Sequence, residues 1–107
     1  MEAKVQTSSL KEEIWQIIAA IPPGSVATYG LIARLAGYPN HARYVGTTLK
    51  NLPHDSRLPW HRVVNSKGQL SFTVHSQPWL KQKNRLEAEG IVFLGDSFSL
   101  KKFQWLN

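Results

Sequence analysis

Pro59-Trp60-His61-Arg62-Val63-Val64 lies just past the middle of the chain. The β-branched pair Val63-Val64 favours extended backbone, so residues 60–64 are expected as a short strand. Asn65-Ser66-Lys67-Gly68 is turn chemistry, and Gln69-Leu70-Ser71-Phe72 is expected to return as a second strand. An indole N–H only donates a hydrogen bond, so Trp60 is no nucleophile. The chain holds no cysteine, which removes disulfides, thiolate metal sites and thiol catalysis.

On the N-terminal side, Ser9-Leu10-Lys11-Glu12 fits a capping box. Leu10, Ile14, Ile17, Ile18 and Ile21 follow at helical spacing with Trp15 beside them. This predicts a helix over residues 10–20, ended by Pro22-Pro23-Gly24. Thr28 can cap a second helix over residues 29–35, with Leu31, Ile32 and Leu35 inward. Gly37 and Pro39 break it, and a third helix is expected over residues 41–51. Its apolar face carries Val45 and Leu49, and Gly46 is expected to allow close approach to the preceding helix. Helix, short glycine-containing turn, helix is the pattern of a helix-turn-helix and equally of an ordinary helical hairpin.

On the C-terminal side, residues 73–77 read as a polar surface loop. Pro78 suits the first turn of a helix running to residue 89 and stopped by Gly90. Residues 91–94 and 97–100, joined by Gly95-Asp96, are expected as a hairpin, with Phe103, Trp105 and Leu106 folding back on the domain.

At 107 residues the length prior gives one domain over residues 1–107, with enough apolar side chains for a core. The net charge of +6 and pI near 9.9 favour a polyanion as partner. No basic amphipathic helix points to a membrane surface, and no apolar run approaches the roughly 18 residues of a membrane span. The first residues lack the apolar run of a signal peptide, so a cytoplasmic protein is expected. His41, His54 and His75 show no ligand spacing with His61, so no metal or other cofactor is expected. Ser56, Ser66 and Ser71 lack a nucleophile elbow, which argues against a serine hydrolase.

Five stretches carry a resemblance: Val26-Ala27-Thr28-Tyr29-Gly30, Ala36-Gly37, His41-Ala42-Arg43-Tyr44-Val45-Gly46, residues 59–64, and Leu86-Glu87-Ala88-Glu89-Gly90. In order and spacing they resemble the DNA-binding half of the O6-alkylguanine-DNA alkyltransferases, whose active strand reads Pro-Cys-His-Arg-Val. Trp60 stands at the cysteine position, which is the pattern of the alkyltransferase-like proteins. The resemblance implies an α/β domain of the alkyltransferase C-terminal type, a winged-helix-like helix-turn-helix with small β-strands. It also implies minor-groove docking, rotation of an O6-alkylguanine out of duplex DNA, and hand-over to nucleotide excision repair proteins. Such a sensor would work as a monomer without catalysis.

By the same resemblance Arg43 fills the gap left by the extruded nucleotide. A flat, permanently charged guanidinium suits that role. Tyr29 crowds the neighbouring phosphate, with Thr28, Gly46 and Lys50 also facing DNA. Arg34, Lys67, Lys81 and Lys83 are further candidate phosphate contacts. Trp60 has three readings: plain core, a cap on a defunct site, or the wall of a lesion pocket. An apolar wall would reward an alkyl group by about 0.8 kcal/mol per buried methylene. Pro59, His61, Arg62 and Glu89 are read as a retained structural relay, with Glu89 accepting from the His61 ring; Arg62 could serve the DNA, but tying the strand to the core is the preferred role. Two departures stand out. Asn51-Leu52-Pro53 replaces the family's Asn-Pro, and a loop through Ser71, Phe72 and Thr73 replaces its Gly-Asn-Tyr-Ser-Gly-Gly. Two other functions fit the residues: a sequence-specific helix-turn-helix regulator, and an enzyme acting on alkylated DNA through His61 and Glu89.

Overall fold

The computed structural model describes residues 9–53 and 55–106; the stretch before Ser9, His54 and Asn107 lie outside the described residues. Helix α1 spans Leu10–Ala19, strand β1 Ala27–Thr28, helix α2 Tyr29–Leu35 and helix α3 Ala42–Lys50. A 3-10 turn, Trp60–Arg62, leads into strand β2, Val63–Val64. Helix α4 spans Gln77–Ala88, and the chain closes with β3 Phe93–Leu94, β4 Ser97–Phe98 and helix α5 Leu100–Phe103.

The start signals act as the sequence indicates. Ser9 Oγ accepts from the Glu12 amide and the Glu12 carboxylate accepts from the Ser9 amide, completing the capping box. Thr28 Oγ1 accepts from the Leu31 amide at 3.0 Å and opens α2 at the expected residue. Gly90, at φ +98°, follows the end of α4 in a conformation that glycine adopts without strain.

β1 and β2 pair in parallel, with Ala27 opposite Val63 and Thr28 opposite Val64. Successive strand side chains point to opposite faces, so this short pair becomes a partition between two cores. Ala27 and Val63 face Ile14, Ile18, Ile21, Leu31, Ile32 and Val45 of the helical half. Val26 and Val64 face Leu70, Trp79, Leu86, Ile91 and Phe98 of the other half. The C-terminal segment seals the pair: the Val26 amide donates to the Phe103 carbonyl at 2.9 Å, and the Trp105 amide to the Val26 carbonyl at 2.8 Å.

Several expectations are corrected. Residues 60–62 are not strand, and residues 69–72 do not return as one. In a strand, His61 and Arg62 would point to opposite faces; the 3-10 turn lets both reach Glu89. Without a returning strand, β2 takes β1 as its partner, while the turn at Asn65 is held by its own side chain accepting from the Lys67 and Gln69 amides. Leu35 is exposed rather than inward, and Thr48 is buried beside Val45 in α3. Leu100, expected as the end of a strand, instead opens α5 over residues 100–103, because Ser99 caps them through the Lys102 amide. Of the C-terminal apolar residues, Trp105 and Phe103 pack on the cores, whereas Leu106 stays exposed.

The partition rests on one buried amide. Gln82 Nε2 donates to the carbonyls of His61 and Val63, each at 3.0 Å. Gln82→Leu removes that donor from two carbonyls inside the fold. Such losses cost about 1–3 kcal/mol. Urea unfolding of the variant should show a loss of that size; a change within about 0.5 kcal/mol, the range of neutral surface substitutions, would contradict this role for Gln82.

Candidate nucleic-acid interface

The 3-10 turn sends its three adjacent side chains in two directions. Trp60 is half-buried, which excludes the plain-core reading. His61 is buried and Arg62 half-buried, and both turn to Glu89 at the end of α4. Arg62 Nε donates to Glu89 Oε1 at 2.9 Å, and its Nη2 donates to Oε2 at 2.7 Å. This bidentate pair is the strong form of the charge-assisted bond. Nη1 of the same guanidinium donates to the Ile21 carbonyl at 2.7 Å, tying the turn to the segment after α1.

Arg62 is the main cause that holds the Glu89 carboxyl down to about 2, against partial burial that would raise it; the His61 bond assists. An ionised carboxylate can only accept, so His61 Nε2 carries the proton in the 2.9 Å contact with Glu89 Oε2. Burial lowers the His61 pKa despite Glu89, which keeps the ring neutral at pH 7. Its Nδ1 is then a bare acceptor, buried without a hydrogen-bond partner among the described residues. The histidine thus keeps an unprotonated nitrogen, but the residue before it in the chain is a tryptophan, whose indole offers no thiol to activate.

Around Trp60 the structure gathers residues from distant parts of the chain. Phe72 meets the indole edge-on at 6.3 Å, and His61 does so at 6.0 Å. The Arg85 guanidinium lies over the indole, 5.3 Å from the ring centroid. The loop that carries Phe72 is fastened to the helix-turn-helix: Tyr29 Oη and Ser71 Oγ lie 2.9 Å apart. Ser71, Phe72 and Thr73 are all exposed.

α2 and α3 form the expected helix-turn-helix, with Tyr29 opening α2 and Arg43 in the first turn of α3. Arg43 and Lys50 are exposed and make no side-chain hydrogen bond or ion pair among the described residues. Both are free to meet an anion. Thr28 is not: it is buried, and its hydroxyl is spent on the α2 cap. Gly46 is not forced by close approach, because a Cβ there would meet Tyr29 Cε1 at an ordinary 3.8 Å. Asn51 turns back to the Thr47 carbonyl at the end of α3, and Pro59 caps the Trp60 turn. Arg34, Lys67 and Lys81 are exposed, while Lys83 pairs with Glu87 at 3.1 Å. Among the described residues there is no acidic or histidine cluster fit for a metal ion, and no helix long and apolar enough to cross a membrane.

Gln82 and Arg85 were not singled out from sequence. The signal was available: Gln82, Arg85 and Glu89 sit at i, i+3 and i+7, on one face of α4. All three take hold of residues 60–63.

A fold of this kind, with a helix-turn-helix packed beside a Trp-His-Arg turn clamped by glutamate, defines a class. Residues 9–91 match the family described as "6-O-methylguanine DNA methyltransferase, DNA binding domain", and the chain belongs to that family. It is 45% identical over 105 residues to a "DNA base-flipping protein" of Escherichia coli, covering 97% of this chain and 80% of the relative. It is 40% identical over 98 residues to "Alkyltransferase-like protein 1" of Schizosaccharomyces pombe, covering 87% and 91% of the two chains. The crystal structure of S. pombe Atl1 with damaged DNA containing O6-carboxymethylguanine superposes with a TM-score of 0.83 at 36% identity, covering 92% of this chain and 95% of that one. The O6-methylguanine methyltransferase of Mycobacterium tuberculosis gives a TM-score of 0.65 at 30% identity, and the match covers 76% of this chain and 48% of that one.

The Glu89 clamp sets a pH dependence. The carboxyl is held at about 2 in the folded chain against 4.5 ordinarily, so its contribution is full above pH 4.5 and is lost as pH falls toward 2. Glu89→Gln lacks this titration. The stability gap between wild type and variant, measured by urea unfolding, should be widest near neutrality and close between pH 4.5 and 2. A gap that stays constant across that interval would contradict the assignment.

Proposed function

We propose that this chain is a non-enzymatic sensor of alkylated DNA. It binds duplex DNA at O6-alkylguanine, turns the modified nucleotide out of the stack, holds it against Trp60 and bends the duplex. The bound complex then marks the lesion for nucleotide excision repair proteins, in the cytoplasm and as a monomer.

The observation that carries this reading is Trp60 itself. The relay that would serve a reactive residue at this position is in place: the 3-10 turn, the neutral His61, and Glu89 held by Arg62. The residue is an indole without nucleophilic chemistry. What remains is a half-exposed aromatic beside Phe72 that can pack on an alkylated base. With no transfer step, nothing demands a small leaving alkyl, so bulky adducts are tolerated too. The relatives named for base flipping, and the S. pombe complex with damaged DNA, support extension of that behaviour to this chain. The exposed Arg43 at the start of α3 is the group placed to fill the gap in the stack.

The decisive comparison uses matched duplexes with and without one O6-methylguanine, followed by mass measurement of protein and DNA. The sensor prefers the lesion and leaves both masses unchanged. Loss of the methyl group from DNA would make the chain an enzyme, and a lesion-blind preference for one sequence would make it a regulator. Arg43→Ala should weaken lesion binding and reduce base extrusion, read from 2-aminopurine fluorescence; wild-type fluorescence would remove Arg43 from that role. Affinity should also fall with salt: about five phosphate contacts give a log–log slope near −4.5. A flat response would contradict a charge-guided interface.

A further inference from the structure

Arg85 stands out as a cation whose natural partner has been taken. On α4 it lies four residues before Glu89, the spacing at which an arginine and a glutamate ordinarily pair. Both Glu89 oxygens are instead engaged by His61 and Arg62. Arg85 is exposed, and its side chain forms no hydrogen bond or ion pair among the described residues. Its guanidinium is parked over Trp60, 5.3 Å from the ring centroid, within the range of a cation–π contact. The indole thus orients a flat, permanently charged fork whose N–H donors are unspent.

The geometry points to Arg85 as a specificity-determining residue that favours O6 adducts ending in a carboxylate over neutral adducts of the same size. The assignment rests on the proposed packing of the lesion against Trp60. An adduct lying along the indole ends beside the guanidinium, which matches a carboxylate in a two-point, charge-assisted contact. The facing groups favour this outcome. His61 is neutral, Arg62 has its charge matched by Glu89, and Glu89 is committed to both. No free carboxylate among them competes for Arg85.

The test uses the full chain and duplexes with a single O6-carboxymethylguanine, O6-carbamoylmethylguanine, O6-methylguanine or guanine. The amide is the neutral isostere of the carboxylate. Wild type should bind the carboxymethyl duplex about tenfold more tightly than the carbamoylmethyl one, the low end for a hydrogen bond to a charged group. Arg85→Gln should abolish this ratio while keeping its preference for O6-methylguanine over guanine, and Arg85→Lys should keep part of the ratio. Thermal unfolding at the wild-type temperature shows that the variants are folded. Equal wild-type affinity for acid and amide would overturn the assignment, as would a ratio that survives in Arg85→Gln. A uniform loss on all four duplexes would also overturn it, since Arg85 would then be a phosphate contact. Failure of wild type to separate O6-methylguanine from guanine would strike the sensor reading itself, and this assignment with it.

Discussion

The Glu89 carboxylate is the point on which this structure depends. It sits at the C-terminal end of α4, where the helix dipole opposes a negative charge. Arg62 and His61 reverse that cost by donating to both of its oxygens. The same Arg62 reaches the Ile21 carbonyl, so one ionic knot joins α4, the turn before β2 and the segment leaving α1. These elements belong to different cores, and only the short β1–β2 pair lies between them. With two residues per strand, the pair has little strength of its own. The knot and Gln82 fix its approach from one side and the C-terminal segment from the other.

That dependence explains why a histidine–glutamate relay persists without a thiol to activate. In this chain the relay is a structural part, and its removal would release the turn that positions Trp60. The indole takes its orientation from the turn and its surroundings from three sources: Phe72 on the loop, Arg85 on α4 and His61 beside it. The Tyr29–Ser71 contact then couples this cluster of side chains to the helix-turn-helix. In the proposed function, DNA contact by α3 and base contact at Trp60 are therefore mechanically linked through a loop that differs from the transferase pattern.

Much of this was legible in the sequence because local chemistry governs it. The Ser9 capping box, the Thr28 cap and the Gly90 stop set helix limits without tertiary help. The pairing of His61 with Glu89 was also readable from the family resemblance, whereas the bidentate grip of Arg62 on the same carboxylate was not. The turn at residues 60–62 was not, since propensity near two valines favours strand and only a distant carboxylate selects the turn. The return strand failed for a related reason: β1, far away in sequence, provides the partner for β2. Leu35 was misplaced because it falls at the edge of the apolar stripe of a short helix. Gln82 and Arg85 escaped because a polar residue on a largely exposed helix looks like solvent-facing surface until its face is matched to a second segment. Thr28 shows the converse, a residue of the expected DNA-contacting motif whose hydroxyl is consumed by the fold.

The account holds that grip on a modified base replaces its chemical correction. A crystal structure of this chain on duplex DNA bearing one O6-methylguanine, grown after prolonged incubation, examines that claim most directly. The account predicts an extrahelical guanine lying against Trp60, its methyl group still attached, with Arg43 in the vacated space. A modified base still stacked in the duplex, or a guanine stripped of its methyl group, would contradict it.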